Sequence, residues 1–76
     1  MTANNTKALL DRINNDFVYH APKPGQPETY AEIRERARVL AVHLVGVVPA
    51  SRELSLALTS LEEAVFWANA GIARNG

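Results

Sequence analysis

Residues 51–75, SRELSLALTSLEEAVFWANAGIARN, decide the fold. Leu54, Leu58, Leu61, Val65, Ala68 and Ile72 recur at steps of 4, 3, 4, 3 and 4, the seam of a coiled-coil helix. A second row, Ala57, Ser60, Ala64, Trp67 and Gly71, runs along a neighbouring face and is built mostly of small side chains, which let another helix come close. Ser51 offers an N-terminal cap, and Glu53 suits the positive end of the helix dipole. The spacing predicts a helix over about 50–74.

Upstream, Gly46 and Pro49 terminate the preceding element. Thr29-Tyr30-Ala31-Glu32 fits a capping box, so the middle helix is expected over about 29–47. Ile33, Ala37, Leu40 and Leu44 form its inward stripe, and Val39, Val42 and Val45 widen the apolar surface. His43, set among Ala41, Val42 and Leu44, reads as a partly buried structural imidazole. The short connection from Val47 to Ser51 makes the two helices antiparallel neighbours, an αα-hairpin.

Ala21-Pro22-Lys23-Pro24-Gly25-Gln26-Pro27 holds three prolines and a glycine, so residues 18–28 are a stiff loop. Phe17-Val18-Tyr19-His20 reads equally as extended chain or as a continued turn. Leu9, Leu10, Ile13 and Phe17 place a short amphipathic helix over about 4–17, capped by Asn5 or Thr6. The expected fold is all-α over a single domain, 1–76: a short N-terminal helix followed by an antiparallel αα-hairpin.

A chain of 76 residues is near the lower limit for burying an independent core, and without cysteine it has no disulfide to substitute. The apolar surplus on the two long helices therefore reads as subunit interface in an oligomeric helical bundle, with Trp67 as an anchor. The competing reading is a compact three-helix monomer in which the first helix covers everything.

Eight Lys and Arg balance eight Asp and Glu, which argues against tracking long nucleic acid. The apolar run Val39–Val48 is too short to span a membrane, and the N-terminal residues lack a signal peptide's apolar stretch, so a soluble intracellular protein is expected. With no cysteine and only His20 and His43, no metal-binding or catalytic spacing is present. Glu62 and Glu63 are adjacent on one helix and point about 100° apart, which is poor for an acid/base pair. No catalytic residue, metal or cofactor is assigned.

A richer constellation is Phe17, Tyr19, His20 and Lys23, with Gln26, Tyr30 and Arg34 just beyond. It holds aromatic faces for stacking a base, a cation for a phosphate and an amide for a base edge. The competing reading packs Phe17 and Tyr30 beneath the loop and leaves Lys23 solvated. Arg52 stands in the first turn of the last helix, where the dipole disfavours a cation, and so requires Glu53, another acid or a bound anion nearby. Asn69 lies beside the small-residue row, placed for a buried hydrogen bond, and Arg74 suits the last turn's dipole.

Four segments carry a family resemblance: Phe17–Gln26, Tyr30-x-x-Ile33-Arg34, Ser51-Arg52-Glu53-x-Ser55-Leu56-Ala57 and Leu61–Asn75. Together they resemble the small phage proteins of the anti-CBASS/anti-Thoeris hairpin-domain family. That resemblance implies a non-enzymatic sponge that holds a cyclic di- or trinucleotide, or a related cyclic nucleotide messenger, uncleaved in the host bacterial cytoplasm. It also implies a homo-oligomer, a hexamer in the better-known members, with pockets between subunits.

By position, Tyr19 or Phe17 matches the family's ligand-contacting Tyr, and Lys23 its Lys. Thr59 matches a Thr of the last helix, and Arg52 an Arg at that helix's start. Leu58 stands where the family's first group often carries Arg, and the loop around Lys23 is richer in proline. The implied ligand-binding set is Phe17, Tyr19, His20, Lys23, Gln26, Tyr30, Arg34, Arg52, Thr59, Asn69 and Arg74. The alternative is a small oligomeric adaptor or structural protein that binds a protein partner.

Overall fold

The computed structural model describes residues 3–76, with side chains from Asn5 onward. Three helices follow one another: α1, Ala3–Asp16; α2, Gln26–Val47; and α3, Arg52–Asn75. Among the described residues there are no strands. Helix α1 begins ahead of Asn5 and Thr6, which lie inside it and do not cap it.

Helix α2 begins three residues ahead of the expected start, and the reason lies in the backbone. Gly25 takes a left-handed conformation, φ 86°, and Pro27 occupies the second helical position, where its missing N–H costs nothing. The Thr29 amide already donates to the Gly25 carbonyl at 3.2 Å, and the Thr29 hydroxyl donates to the same oxygen at 3.1 Å. Glu32 turns to Arg36 at 2.8 Å, so the expected capping box is not formed. The loop is correspondingly shorter than 18–28, and residues 17–25 carry no regular structure.

At the other end of the hairpin, the Val48 amide closes α2 by donating to the Leu44 carbonyl at 2.8 Å. Ser51 then caps α3, its hydroxyl accepting from the Leu54 amide at 3.2 Å. The seam is made by Tyr30, Ile33, Ala37, Ala41, Leu44 and Val48 against Leu54, Leu58, Leu61, Val65, Asn69 and Ile72, all half-buried. Two positions differ from the expected stripes. Ala41 replaces Leu40 and Asn69 replaces Ala68, because a straight helix drifts from a strict seven-residue repeat. His43 is exposed rather than partly buried, since it lies about 100° around α2 from the seam residue Leu44.

No residue of the described chain is fully buried. The accessible surface is 6065 Å², against about 4,600 Å² for a compact monomer of this size. The radius of gyration is 16.9 Å, against about 11 Å for a compact domain. Helix α1 does not close over the hairpin, and its Leu10 is 53% exposed. The compact three-helix arrangement is therefore not the one adopted.

Gly25 gives a direct check of this start to α2. Nothing lies within 4 Å of a Cβ added there, so Gly25→Ala tests backbone strain alone. It is expected to lower stability by about 1–2 kcal/mol in urea titration. An unchanged midpoint would contradict the left-handed start.

Candidate functional site

Because the hairpin is antiparallel, the loop before α2 meets the C-terminal end of α3. The last carbonyls of a helix lack the intrahelical partners of its interior. Here the Gly76 amide donates to the Ile72 carbonyl at 2.8 Å, and three side chains also reach main-chain oxygens of this end. Asn15 donates to the Arg74 carbonyl at 3.3 Å, Gln26 to the Ile72 carbonyl at 3.4 Å, and the Lys23 ammonium to the Gly76 carbonyl oxygen. Gln26 also accepts from the Lys23 amide at 2.8 Å. Its carboxamide thus ties the loop to α3 and is engaged at both ends. Asp16 stands 3.7 Å from Arg74 and 3.4 Å from Arg12, and His20 Nε2 lies 2.8 Å from the Asn15 carbonyl oxygen.

This clasp holds the loop in place while leaving its aromatic rings free. Phe17 is 84% exposed and Tyr19 86% exposed, so neither packs beneath the loop. Beside Phe17 lies a cleft of about 460 Å³ between α1 and the end of α3, lined by Ile13, Arg12, Asp16, Trp67 and Arg74. Trp67 is 68% exposed. Arg12 and Asp16 escaped the sequence reading, since only tertiary contact brings the end of α1 to Arg74. Their i, i+4 spacing was visible, but it reads as a helix-surface pair.

The remaining residues separate. Tyr30 and Asn69 fall on the half-buried seam, and Asn69 Oδ1 is buried without a hydrogen-bond partner, so the expected bond through that oxygen is absent. Arg34 is exposed on α2 at the rim of a second, larger groove. Arg52 lies 22 residues from Arg74 along α3, about 33 Å away. Thr59 is exposed between them. One chain therefore gathers Phe17, Tyr19, His20, Lys23, Gln26 and Arg74 at one end, with Arg52 at the other. Among the described residues, Arg34 and Arg52 form no ion pair, and Glu53, in the same first turn of α3, is not bonded to Arg52.

Among the described residues, no three His, Asp or Glu side chains converge as a metal site would require. No helix among them is long and apolar enough to cross a membrane. The resolved shifts in acidity belong to Glu35 and Arg38, an exposed pair on α2. Hydrogen bonds of 2.8 and 2.9 Å from Arg38 hold the Glu35 carboxyl below its ordinary range.

Fold and surface together define an α-helical hairpin protein with Phe17, Tyr19, Lys23 and Arg74 at its clasped end. Residues 10–73 match the family described as Acb2/Tad1, hairpin domain, and the chain belongs to that family, the anti-CBASS/anti-Thoeris sponges. The family is one of sponges rather than of enzymes. No curated protein and no solved structure matches the chain.

Two substitutions separate support from exposure. Gln26→Met removes the two hydrogen bonds that the Gln26 carboxamide makes in the clasp and is expected to cost about 1–2 kcal/mol in urea titration. Arg52→Glu exchanges an unpaired cation for an anion at the positive end of α3. It is expected to raise stability by about 0.3–1 kcal/mol. A fall in stability would show that Arg52 has a structural partner.

Proposed function

We propose that the chain is a phage anti-defence sponge, which binds a cyclic di- or trinucleotide messenger in the host bacterial cytoplasm and sequesters it without cleavage. The observation that carries this reading is the family match across residues 10–73. The geometry supports it. Phe17 and Tyr19 offer stacking faces beside a stiff loop, and Lys23 and Arg74 supply positive charge at the same end. A ring already exposed on an ordered loop loses little freedom on binding.

Lys23 reaches a phosphate by exchanging the Gly76 carbonyl oxygen for a phosphate oxygen. Arg74 faces the ligand across Asp16, which keeps its guanidinium in place. His20 and Gln26 hold the loop, and Tyr30 and Asn69 belong to the hairpin seam behind it. Arg52 and Thr59 are too distant to join this group within one chain, so they serve a ligand together with residues of another copy. The protein acts as a homo-oligomer, a hexamer on the family pattern. Self-association also accounts for the absence of a fully buried residue among those described.

Thermal-shift measurements against a panel of cyclic di- and trinucleotides test this reading, followed by recovery of the ligand after heat denaturation. A raised melting temperature and an intact ligand are expected. No shift with any nucleotide would favour the protein-binding adaptor, and a cleaved ligand would show an enzyme. For the ligand that binds, Lys23→Ala is expected to weaken affinity about tenfold to a hundredfold by calorimetry. Tyr19→Leu or Phe17→Leu should cost at least about 1 kcal/mol. With zero net charge on the protein and two phosphates on a dinucleotide, the log–log salt slope should be about two or less.

A further inference from the structure

A second groove lies away from the clasp, on the face shared by α2 and α3. It has a volume of about 530 Å³ and a floor that includes Val42, Val45, Leu58 and Phe66. Val42 and Val45 are exposed in the single chain, as is Phe66. The rims carry opposite charge. Arg34 and Arg38 stand on the α2 side, and Glu62 stands on the α3 side. Arg38 is already bonded twice to Glu35. Arg34 and Glu62 form no ion pair within the chain among the described residues.

The register of the hairpin places these charges at one height. Gln26 meets Ile72 at the clasp. Glu62 lies ten residues before Ile72, and the point midway between Arg34 and Arg38 lies ten residues after Gln26. A two-fold axis parallel to the helices would lay α2 of one copy over α3 of the next without changing height. Each Glu62 would then face the other copy's Arg34, so that the pair occurs twice, as an isologous contact requires. A two-fold axis across the helices would set α2 on α2 and bring cation to cation.

We propose that this groove is a self-recognition face, closed by the same groove of a second copy, with Glu62 of each chain paired to Arg34 of the other. The inference deepens the assembly invoked above and assigns Arg34 to a subunit contact rather than to the ligand. The surface area fits. The chain exposes roughly 1,500 Å² more than a compact monomer, while a standard interface covers about 800 Å² on each partner. One such face accounts for about half of the surplus and leaves the row through Ala64 and Trp67 for a further contact.

Sedimentation velocity on the full chain without nucleotide tests the pairing. Glu62→Arg and Arg34→Glu should each weaken assembly at least about tenfold, because each sets like charges against one another. The chain carrying both changes should return to within about threefold of the parent. Each variant is compared at equal helicity by circular dichroism, and Val42→Glu on the groove floor should also dissociate the copies. If all three single changes leave the assembly at parental size, this face is not the interface. If the two charge changes weaken assembly and their losses add in the double variant, the charges do not pair. A monomeric parent would overturn self-association altogether. An oligomeric parent that responds as expected yet binds no cyclic nucleotide would leave this face standing and remove the sponge reading.

Discussion

The seam between α2 and α3 is the contact on which everything else rests. Ile33, Ala37, Ala41 and Leu44 meet Leu54, Leu58, Leu61 and Val65 along one line, and none is fully withdrawn from water. A line of contact gives two helices an order and a register, but leaves most of each cylinder unmatched. The register matters most for the site. It carries the end of α3 to the loop, so that Asn15, Lys23 and Gln26 reach main-chain oxygens of Arg74, Gly76 and Ile72. The same register carries Arg52 to the far end. The clasp and the start of α3 are therefore separate surfaces of one chain.

Stiffness and exposure are combined in the loop. Pro22 and Pro24 restrict its backbone, Gly25 makes its one left-handed step, and Gln26, at the start of α2, ties it to α3. The rings of Phe17 and Tyr19 remain outside. Exposed aromatic rings are costly on a mobile segment that must be ordered on binding, and less so on a loop already held. The sponge reading relies on this economy, since a chain of zero net charge has little long-range attraction for a nucleotide.

Much of the fold was legible in the residues. The apolar row from Leu54 and the cap at Ser51 announced α3, and the short connection after Val47 announced the hairpin. The start of α2 was obscured because Thr29 and Glu32 spell a capping box, while the decisive residue is Gly25, whose positive φ the sequence permits without announcing it. The site was legible in part. Phe17, Tyr19 and Lys23 could be singled out by chemistry and by family resemblance. The double engagement of Gln26 could not, because both its partners are main-chain atoms and one lies 46 residues away. The distance between Arg52 and Lys23 follows from antiparallel packing, but grouping residues by chemical type conceals it.

The molecule measures 51 × 35 × 14 Å, and its smallest dimension is little more than the diameter of one helix with its side chains, about 10–12 Å. It is a single layer, whereas a domain is built from at least two. On the proposed assembly the second layer is another copy of the first, supplied by mass action. The midpoint of thermal unfolding is then a joint property of sequence and concentration, rising as the protein accumulates. In a cell, the first chains made would be the most open to proteases and each later chain would protect those before it. Such a protein's lifetime is set by its abundance.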